Sequence, residues 1–82
     1  AHSLLEARLL KLTPREREVL VLALSGLPNK TISKELNISV RTTEGHRAQI
    51  FLKLSVDSLI ELAQQAGSAG MPLADIATLQ PK

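Results

Sequence analysis

The chain has 82 residues and a mass of 8.9 kDa, a length that accommodates one small domain. It has no cysteine, two histidines and one aromatic residue, Phe51. This composition excludes disulfides, thiol catalysis and a cysteine-ligated metal, and it lacks the rings on which single-strand nucleic-acid binders stack bases. The sequence contains no run of eighteen apolar residues, so it predicts no membrane-spanning helix. The lack of cysteine is compatible with the reducing cytoplasm, where we expect the protein to act.

The positive charge is concentrated in the middle third of the sequence. The formal net charge is only +2, divided into +1 for residues 1–27, +3 for residues 28–54 and −2 for residues 55–82. The total alone does not indicate a nucleic-acid partner, but the basic middle segment favours one.

Helices are predicted throughout, because no stretch of β-branched residues alternates and no hairpin-turn dipeptide is present. The first, over residues 4–10, has no clear N-cap. In Thr13-Pro14-Arg15-Glu16, the threonine can cap a helix, the proline fits its first position and the glutamate can complete a capping box. We expect this helix to reach about Ser25 and to end at Gly26.

Two further helices are predicted over residues 29–36 and 40–54. Asn37 separates them, because asparagine tolerates the left-handed conformation of a tight turn, and Ser39 is the expected cap of the second.

The last helix is expected to begin at a capping box formed by Ser58 and Glu61, and to run to about Ala66 before Gly67 ends it. Residues 67–82 are expected to form a C-terminal tail, with a weak helical turn over residues 73–79.

The helices over residues 29–36 and 40–54 have the spacing of a helix-turn-helix, in which two short helices are joined by a turn of three to four residues. Ile32 and Leu36 share one face of the first, and Ser33 is the small residue at the closest approach. One face of the second carries Thr43, His46, Ile50 and Leu54. A plain helical bundle can produce the same spacing, so the pattern alone leaves both architectures open.

The opposite face of the helix over residues 40–54 is small or polar along its first two turns. It is centred on Arg41, Gly45, Ala48 and Leu52. Small residues allow close approach to another surface, and polar ones can contact base edges in the major groove, where helix-turn-helix proteins insert their second helix.

At these residues the sequence resembles the LuxR/FixJ/NarL family of DNA-binding domains. The resemblance covers about residues 12–66 in unbroken register and is closest to the FixJ-like branch. It is carried by LTPREREVL (12–20), GLPNKTISKELNIS (26–39), RTTEGHRAQIFLKL (41–54) and DSLIEL (57–62). It implies an all-α fold, a four-helix bundle containing a helix-turn-helix, with residues 1–11 as the end of an additional interdomain linker helix.

The resemblance also implies a function. The chain is expected to be a sequence-specific, double-stranded DNA-binding domain of a bacterial transcriptional regulator, and the C-terminal effector domain of a two-component response regulator behind a receiver domain. Such domains usually bind an inverted repeat as a homodimer, and RNA polymerase is a further candidate partner. We expect no enzyme activity, cofactor or metal. The alternatives are a dimerisation or RNA-polymerase interaction module that does not read DNA, and a sigma-factor promoter-reading domain.

Site residues follow from the helical faces and from the resemblance. Base contacts are expected from Arg41, Thr42, Glu44, Gly45, Ala48 and Gln49. Phosphate contacts are expected from Lys30, Thr31, Arg47 and Lys53. The last helix carries more apolar residues than one bundle face can bury, which predicts a dimer interface at Leu59, Ile60 and Leu62.

The sequence departs from the family pattern at four positions. The family usually has a serine cap where Pro28 stands, a valine where Thr43 stands and a larger side chain where Gly45 stands, and it often has lysine, though also glutamate, where Glu44 stands. These departures concern the DNA sequence preference rather than the fold.

Overall fold

The computed structural model describes residues 3–68 and residue 70. Five helices follow one another along this part of the chain: α1 (Ser3–Leu9), α2 (Pro14–Leu24), α3 (Asn29–Leu36), α4 (Val40–Leu54) and α5 (Leu59–Ser68). No strand occurs among the described residues, and none of the helices there is long and apolar enough to cross a membrane. The predicted all-α bundle is therefore confirmed.

Helix α2 begins with the predicted capping box. The Glu16 N–H donates to Thr13 Oγ1 at 3.1 Å, and the Thr13 N–H donates to Glu16 Oε1 at 2.9 Å. The helix ends at Leu24 with Ser25 as its C-cap, and Gly26 follows with φ +90°. A left-handed glycine here is the usual way to stop a helix and redirect the chain.

The turn between α3 and α4 is as short as predicted. Asn37 takes the left-handed conformation (φ 57°, ψ 47°), and the Ile38 N–H donates back to the Ser33 carbonyl at 2.9 Å. Ser39 then caps α4 by accepting the Thr42 N–H at 2.9 Å. Both helices therefore have the predicted limits, and together they form a helix-turn-helix.

Helix α5 differs from the prediction at both ends. Ser58 accepts the Glu61 N–H at 3.1 Å as expected, but the Glu61 carboxylate accepts from the Asp57 N–H at 2.9 Å instead of closing the box on Ser58. The prediction that Gly67 ends the helix is wrong, because α5 continues to Ser68 and the left-handed glycine is Gly70, with φ +73°. The predicted turn over residues 73–79 lies outside the described residues.

The core is built around α4, which packs against α1, α2 and α3. The largest fully buried apolar side chains come from four helices: Leu20, Ile32, Ile50, Leu54 and Leu62. Leu5 and Leu9 of α1 are buried in the same cluster. The helix predicted as the end of a linker is thus packed into the bundle.

Two buried hydroxyl groups are satisfied within their own helices. Thr43 Oγ1 donates to the Ser39 carbonyl at 3.0 Å, and Ser33 Oγ donates to the Lys30 carbonyl at 2.7 Å. The hydroxyl that Thr43 brings into the core therefore leaves no unpaired polar group, which would otherwise be costly.

An ion pair joins the start of α2 to the end of α4. Lys53 Nζ lies 2.7 Å from Glu16 Oε1, and the Glu16 residue is only 5% exposed. Burial raises the pKa of the Glu16 carboxyl, but the hydrogen bond and charge of Lys53, with the two hydrogen bonds of Thr13, outweigh it. The net result is a pKa below the usual value of 4.5.

This ion pair predicts an acid-sensitive fold. A pKa lower in the folded state means that the Glu16 contribution is fully present above the usual value of 4.5 and is lost as the pH falls through the lowered folded value. We expect Glu16→Gln to reduce the free energy of unfolding by about 1–3 kcal/mol at neutral pH. This deficit should shrink in acid, which urea titrations at several pH values would measure by circular dichroism.

Glu18→Gln is the matched control, because Glu18 is an exposed carboxylate of the same helix that pairs with Arg15 at 2.9 Å. Its effect should stay below about 1 kcal/mol, as is typical of exposed pairs. A Glu16→Gln deficit of equal size at pH about 3 and about 7 would show that the ionised carboxylate is not its source.

Candidate nucleic-acid interface

One face of α4 is exposed along its first two and a half turns. The residues for which base contacts were predicted all lie on the surface: Arg41, Thr42, Glu44, Gly45, Ala48 and Gln49. On the other side of the helix, Thr43, Ile50 and Leu54 are buried. The helical periodicity of α4 therefore separates a core face from an exposed face that is mostly polar or small.

The middle of the exposed face carries only small side chains, so the helix backbone lies close to the surface there. A Cβ built on Gly45 meets no atom within 4 Å, and Ala48 stands one turn later with only a methyl group. The backbone of α4 can therefore approach another surface more closely here than at any larger side chain. Leu52, 72% exposed, continues this face toward the C-terminal end.

The start of α4 holds an ordered set of polar groups. The Ser39 hydroxyl accepts the Thr42 N–H and donates to Thr42 Oγ1, both at 2.9 Å. Thr42 is therefore fixed in position while its own hydroxyl hydrogen stays available. Arg41 and Glu44 flank it with opposite charges, and the structure shows neither of them in an ion pair within residues 3–68.

Arg47 lies at the edge of this face against the only aromatic ring of the chain. Its guanidinium carbon is 5.6 Å from the centroid of the Phe51 ring, a distance within the range of cation–π contacts. The contact is the i, i+4 pairing expected of helical neighbours. This contact of Phe51 was not predicted from the sequence, although the spacing of four residues from Arg47 indicates it.

Arg47 also borders a groove of about 380 Å³ next to the start of α3. The other lining residues are Ala23, Gly26, Leu27, Pro28, Asn29 and Leu59. Pro28 is the N-cap of α3 and provides no side-chain hydrogen bond, so the first amides of the helix keep their partial positive charge without a side-chain acceptor. Asn29 Oδ1 is buried and has no hydrogen-bond partner among the described residues, and Lys30, the next residue, is exposed. Thr31 is half-buried.

Lys53, for which a phosphate contact was also predicted, does not line this groove, and in the structure its ammonium group is bound by other groups of the protein. Its ammonium group donates to Glu16 at 2.7 Å and to the Lys11 carbonyl at 3.5 Å, and its side chain is only 28% exposed. The buried carboxylate of the α2 capping box holds Lys53 against the bundle. The two residues are 37 positions apart, so no local pattern indicates the pair.

The structure contradicts the predicted dimer interface on α5 at one residue, Leu62. Leu62 is fully buried, because it faces the core together with Ala66 one turn later. Leu59 is half-buried and lines the groove beside Arg47. Of the three predicted residues, Ile60 alone is exposed, at 72%.

The geometry agrees with the comparisons to known proteins. The family model described as "Bacterial regulatory proteins, luxR family" matches residues 10–66. The transcriptional regulatory protein FixJ of Rhizobium meliloti (strain 1021) is 46% identical over 66 residues, which cover 80% of this chain and 32% of that protein. No solved structure matches the chain.

Two other relatives are response regulators by name. The tetrathionate response regulatory protein TtrR of Salmonella typhimurium is 40% identical over 68 residues, or 83% of this chain and 33% of that protein. The nitrate/nitrite response regulator NarL of Escherichia coli is 42% identical over 53 residues, or 65% of this chain and 24% of that protein. The chain spans about a third of the length of FixJ and TtrR. With its helix-turn-helix over α3 and α4, this chain is a DNA-binding domain that belongs to the luxR family of bacterial regulatory proteins.

Proposed function

We propose that the exposed face of α4 enters the major groove of duplex DNA and reads its sequence. The observation that carries this proposal is the face itself, which is polar at its start and has only small side chains at Gly45 and Ala48. No atom of the described residues lies within 4 Å of a Cβ at Gly45. The major groove is wide enough for an α-helix, and the second helix of a helix-turn-helix is the one that occupies it.

The side chains of this face match the hydrogen-bonding groups of bases. Arg41 can donate two hydrogen bonds to guanine, Glu44 can accept from the amino group of cytosine, and Gln49 can pair with adenine. The Thr42 hydroxyl suits several bases, and the Ala48 methyl suits the methyl of thymine. Gly45 makes no side-chain contact, and its lack of a side chain allows the backbone of α4 to lie close to the bases.

Phosphate contacts are proposed for Lys30, Thr31 and Arg47. Arg47 and the first residues of α3 line one groove, and Lys30 is exposed in the first turn of the same helix. A helix N-terminus and a nearby arginine together favour a phosphate group. Lys53 is left out of this set because of its bond to Glu16.

We infer that the full-length protein is a two-component response regulator. The names of TtrR and NarL support this, and so does the share of their length that lies outside the match. In this proposal a receiver domain precedes residues 1–11, residues 12–66 form the effector domain, and residues 67–82 are its tail. The protein then acts in the cytoplasm as a regulator of transcription and not as an enzyme.

The competing proposal is an interaction module that dimerises or contacts RNA polymerase without reading DNA. It predicts that changes on the exposed face of α4 leave duplex binding unaffected. The exposed face of α4 is polar and has small side chains at its middle, which favours DNA reading, because a protein-docking face is usually richer in apolar and aromatic side chains.

Duplex binding should depend steeply on salt. Each phosphate contact adds about 0.9 to the slope of log affinity against log salt. Arg47→Ala and Lys30→Ala should each lower that slope by about 0.9 and weaken binding to all sequences alike. Fluorescence anisotropy with a random duplex at several salt concentrations measures both quantities.

Two matched variants test the assignment. Arg15→Ala removes an exposed positive charge on α2, outside the interface, and should leave the slope unchanged. Lys53→Ala should lower the free energy of unfolding but not the slope, because its charge is held by Glu16. An unchanged slope in Arg47→Ala would remove Arg47 from the interface.

Gly45 provides the sharpest test of base reading. Gly45→Ala should raise the free energy of unfolding by a few tenths to about 1 kcal/mol, because the added methyl group improves helix propensity. Gly45→Leu should also fold, since a Cβ meets no atom there, yet it should lose specific binding by steric exclusion. Glu44→Ala should relax the preference at one base pair by about 1–3 kcal/mol. Thermal melts and selection from a random duplex library measure these effects.

Gly67 offers the matched control for Gly45. It is an exposed helical glycine in α5 with no atom within 4 Å of an added Cβ. Gly67→Leu should therefore fold and, tested on single half-sites so that pairing through α5 plays no part, select the same sequence as the wild type. Selection of those sites with unchanged affinity by Gly45→Leu would show that this face is not in the groove.

We also propose that two copies pair on an inverted repeat through α5, now centred on Ile60. Ile60→Glu should keep the fold and bind a single half-site, but lose cooperative binding to two half-sites. Leu4→Glu, an equivalent change at an exposed leucine of α1, should leave cooperativity intact. Gel-shift titrations on single and paired half-sites compare them, and full cooperativity in Ile60→Glu would place the dimer contact elsewhere.

A further inference from the structure

A second groove lies between α2 and α3, away from the proposed DNA contacts. It is an open surface depression of about 330 Å³, and it is lined by Glu18, Val21, Leu22, Glu35 and Leu36. It includes no residue of α4, and neither Lys30 nor Arg47 lines it. Its two carboxylates would repel phosphate, so this groove is separate from the nucleic-acid interface.

The floor of this groove is apolar and only partly covered. Val21, Leu22 and Leu36 are half-buried, and the last two pack against the core cluster. Covering this water-exposed apolar surface with another apolar group is favourable, because it removes apolar area from water. The volume is at the lower end of small-molecule sites, which hold roughly 300–1,000 Å³, and it suits one or two aliphatic side chains.

The rim of the groove is acidic. Glu35 is exposed and the structure shows it in no ion pair within residues 3–68. Within the described part of the chain, Glu18 pairs only with the exposed Arg15, and such a surface pair is weak enough to be exchanged for another. None of the described residues that line the groove is basic. The rim is therefore complementary to positive charge.

We propose that this groove docks an amphipathic helical segment of another protein, with aliphatic side chains between α2 and α3 and lysine or arginine on both sides of them. An apolar groove that receives a helix by residues spaced three or four apart is a recurrent recognition mode. The acidic rim selects a basic segment over an acidic one. Because the groove shares no residue with the face of α4, the domain can hold this partner and DNA together.

A second copy of this chain is the competing occupant. Leu10 is partly exposed between Arg8 and Lys11, which is the kind of basic, apolar sequence that the groove would accept. This occupant differs from the proposed one in a measurable way, because it requires the free chain to self-associate through the groove.

The test uses a synthetic helical peptide of about 15 residues, with two leucines one turn apart and lysines on both sides of them. It is titrated into the 15N-labelled chain without DNA, so that the result does not depend on the proposed function. We expect amide shifts centred on Val21, Leu22 and Leu36. A peptide with glutamate in place of lysine should bind about tenfold more weakly or not at all.

Variants of the chain locate the charge effect. Glu18→Gln and Glu35→Gln should each weaken binding of the lysine peptide about two- to fivefold, and both residues are exposed, so the fold should persist. Asp57→Asn, which removes an exposed carboxylate outside the groove, should have no effect. Shifts at other residues or equal affinity for both peptides would overturn the proposal. So would concentration-dependent self-association that Glu35→Gln abolishes, because it would identify a second copy as the occupant.

Discussion

The buried stripe of α4 is the constraint on which the rest of the structure depends. Ile50 and Leu54 have almost no exposed surface, and α4 packs against three other helices through this side. Because a helix is rigid, fixing one face also fixes the direction of the opposite one. The position of Gly45 and Ala48 on the surface is therefore a consequence of core packing. A domain this small has a narrow margin of stability, which explains why even the helix preceding the family match adds Leu5 and Leu9 to the core.

Local features could be predicted from the sequence because each depends on residues within four or five positions. The box of Thr13 and Glu16, the left-handed Asn37 and the cap at Ser39 all belong to this class. The exposed face of α4 was also predictable, since it follows from helical periodicity alone. Long-range features were not predictable. The bond of Lys53 to Glu16 and the burial of Leu62 depend on how distant helices pack. The end of α5 was also not predictable, because the backbone becomes left-handed at Gly70 and not at Gly67.

The bond between Glu16 and Lys53 changes how the positive charges of α4 are distributed over the surface. Without it, α4 would present two basic residues near the phosphates, Arg47 and Lys53. With it, Lys53 links the end of α4 to the start of α2, and the basic contribution moves toward Arg47 and the start of α3. The proposed phosphate contacts then lie at Arg47 and at the start of α3, next to the groove beside Pro28.

Helix α3 gives the domain its two differently charged sides. Successive residues of a helix are rotated by about 100°, so Lys30 and Glu35 project in directions roughly 140° apart. Ile32 and Ser33, between them in sequence, are buried and anchor the helix against the core. A single eight-residue helix thus places a positive side chain beside the proposed DNA face and a negative one on the rim of the second groove. Rotating α3 about its axis in either direction would turn Lys30 or Glu35 toward the core. The packing of Ile32 and Ser33 therefore fixes the positions of both charges at once.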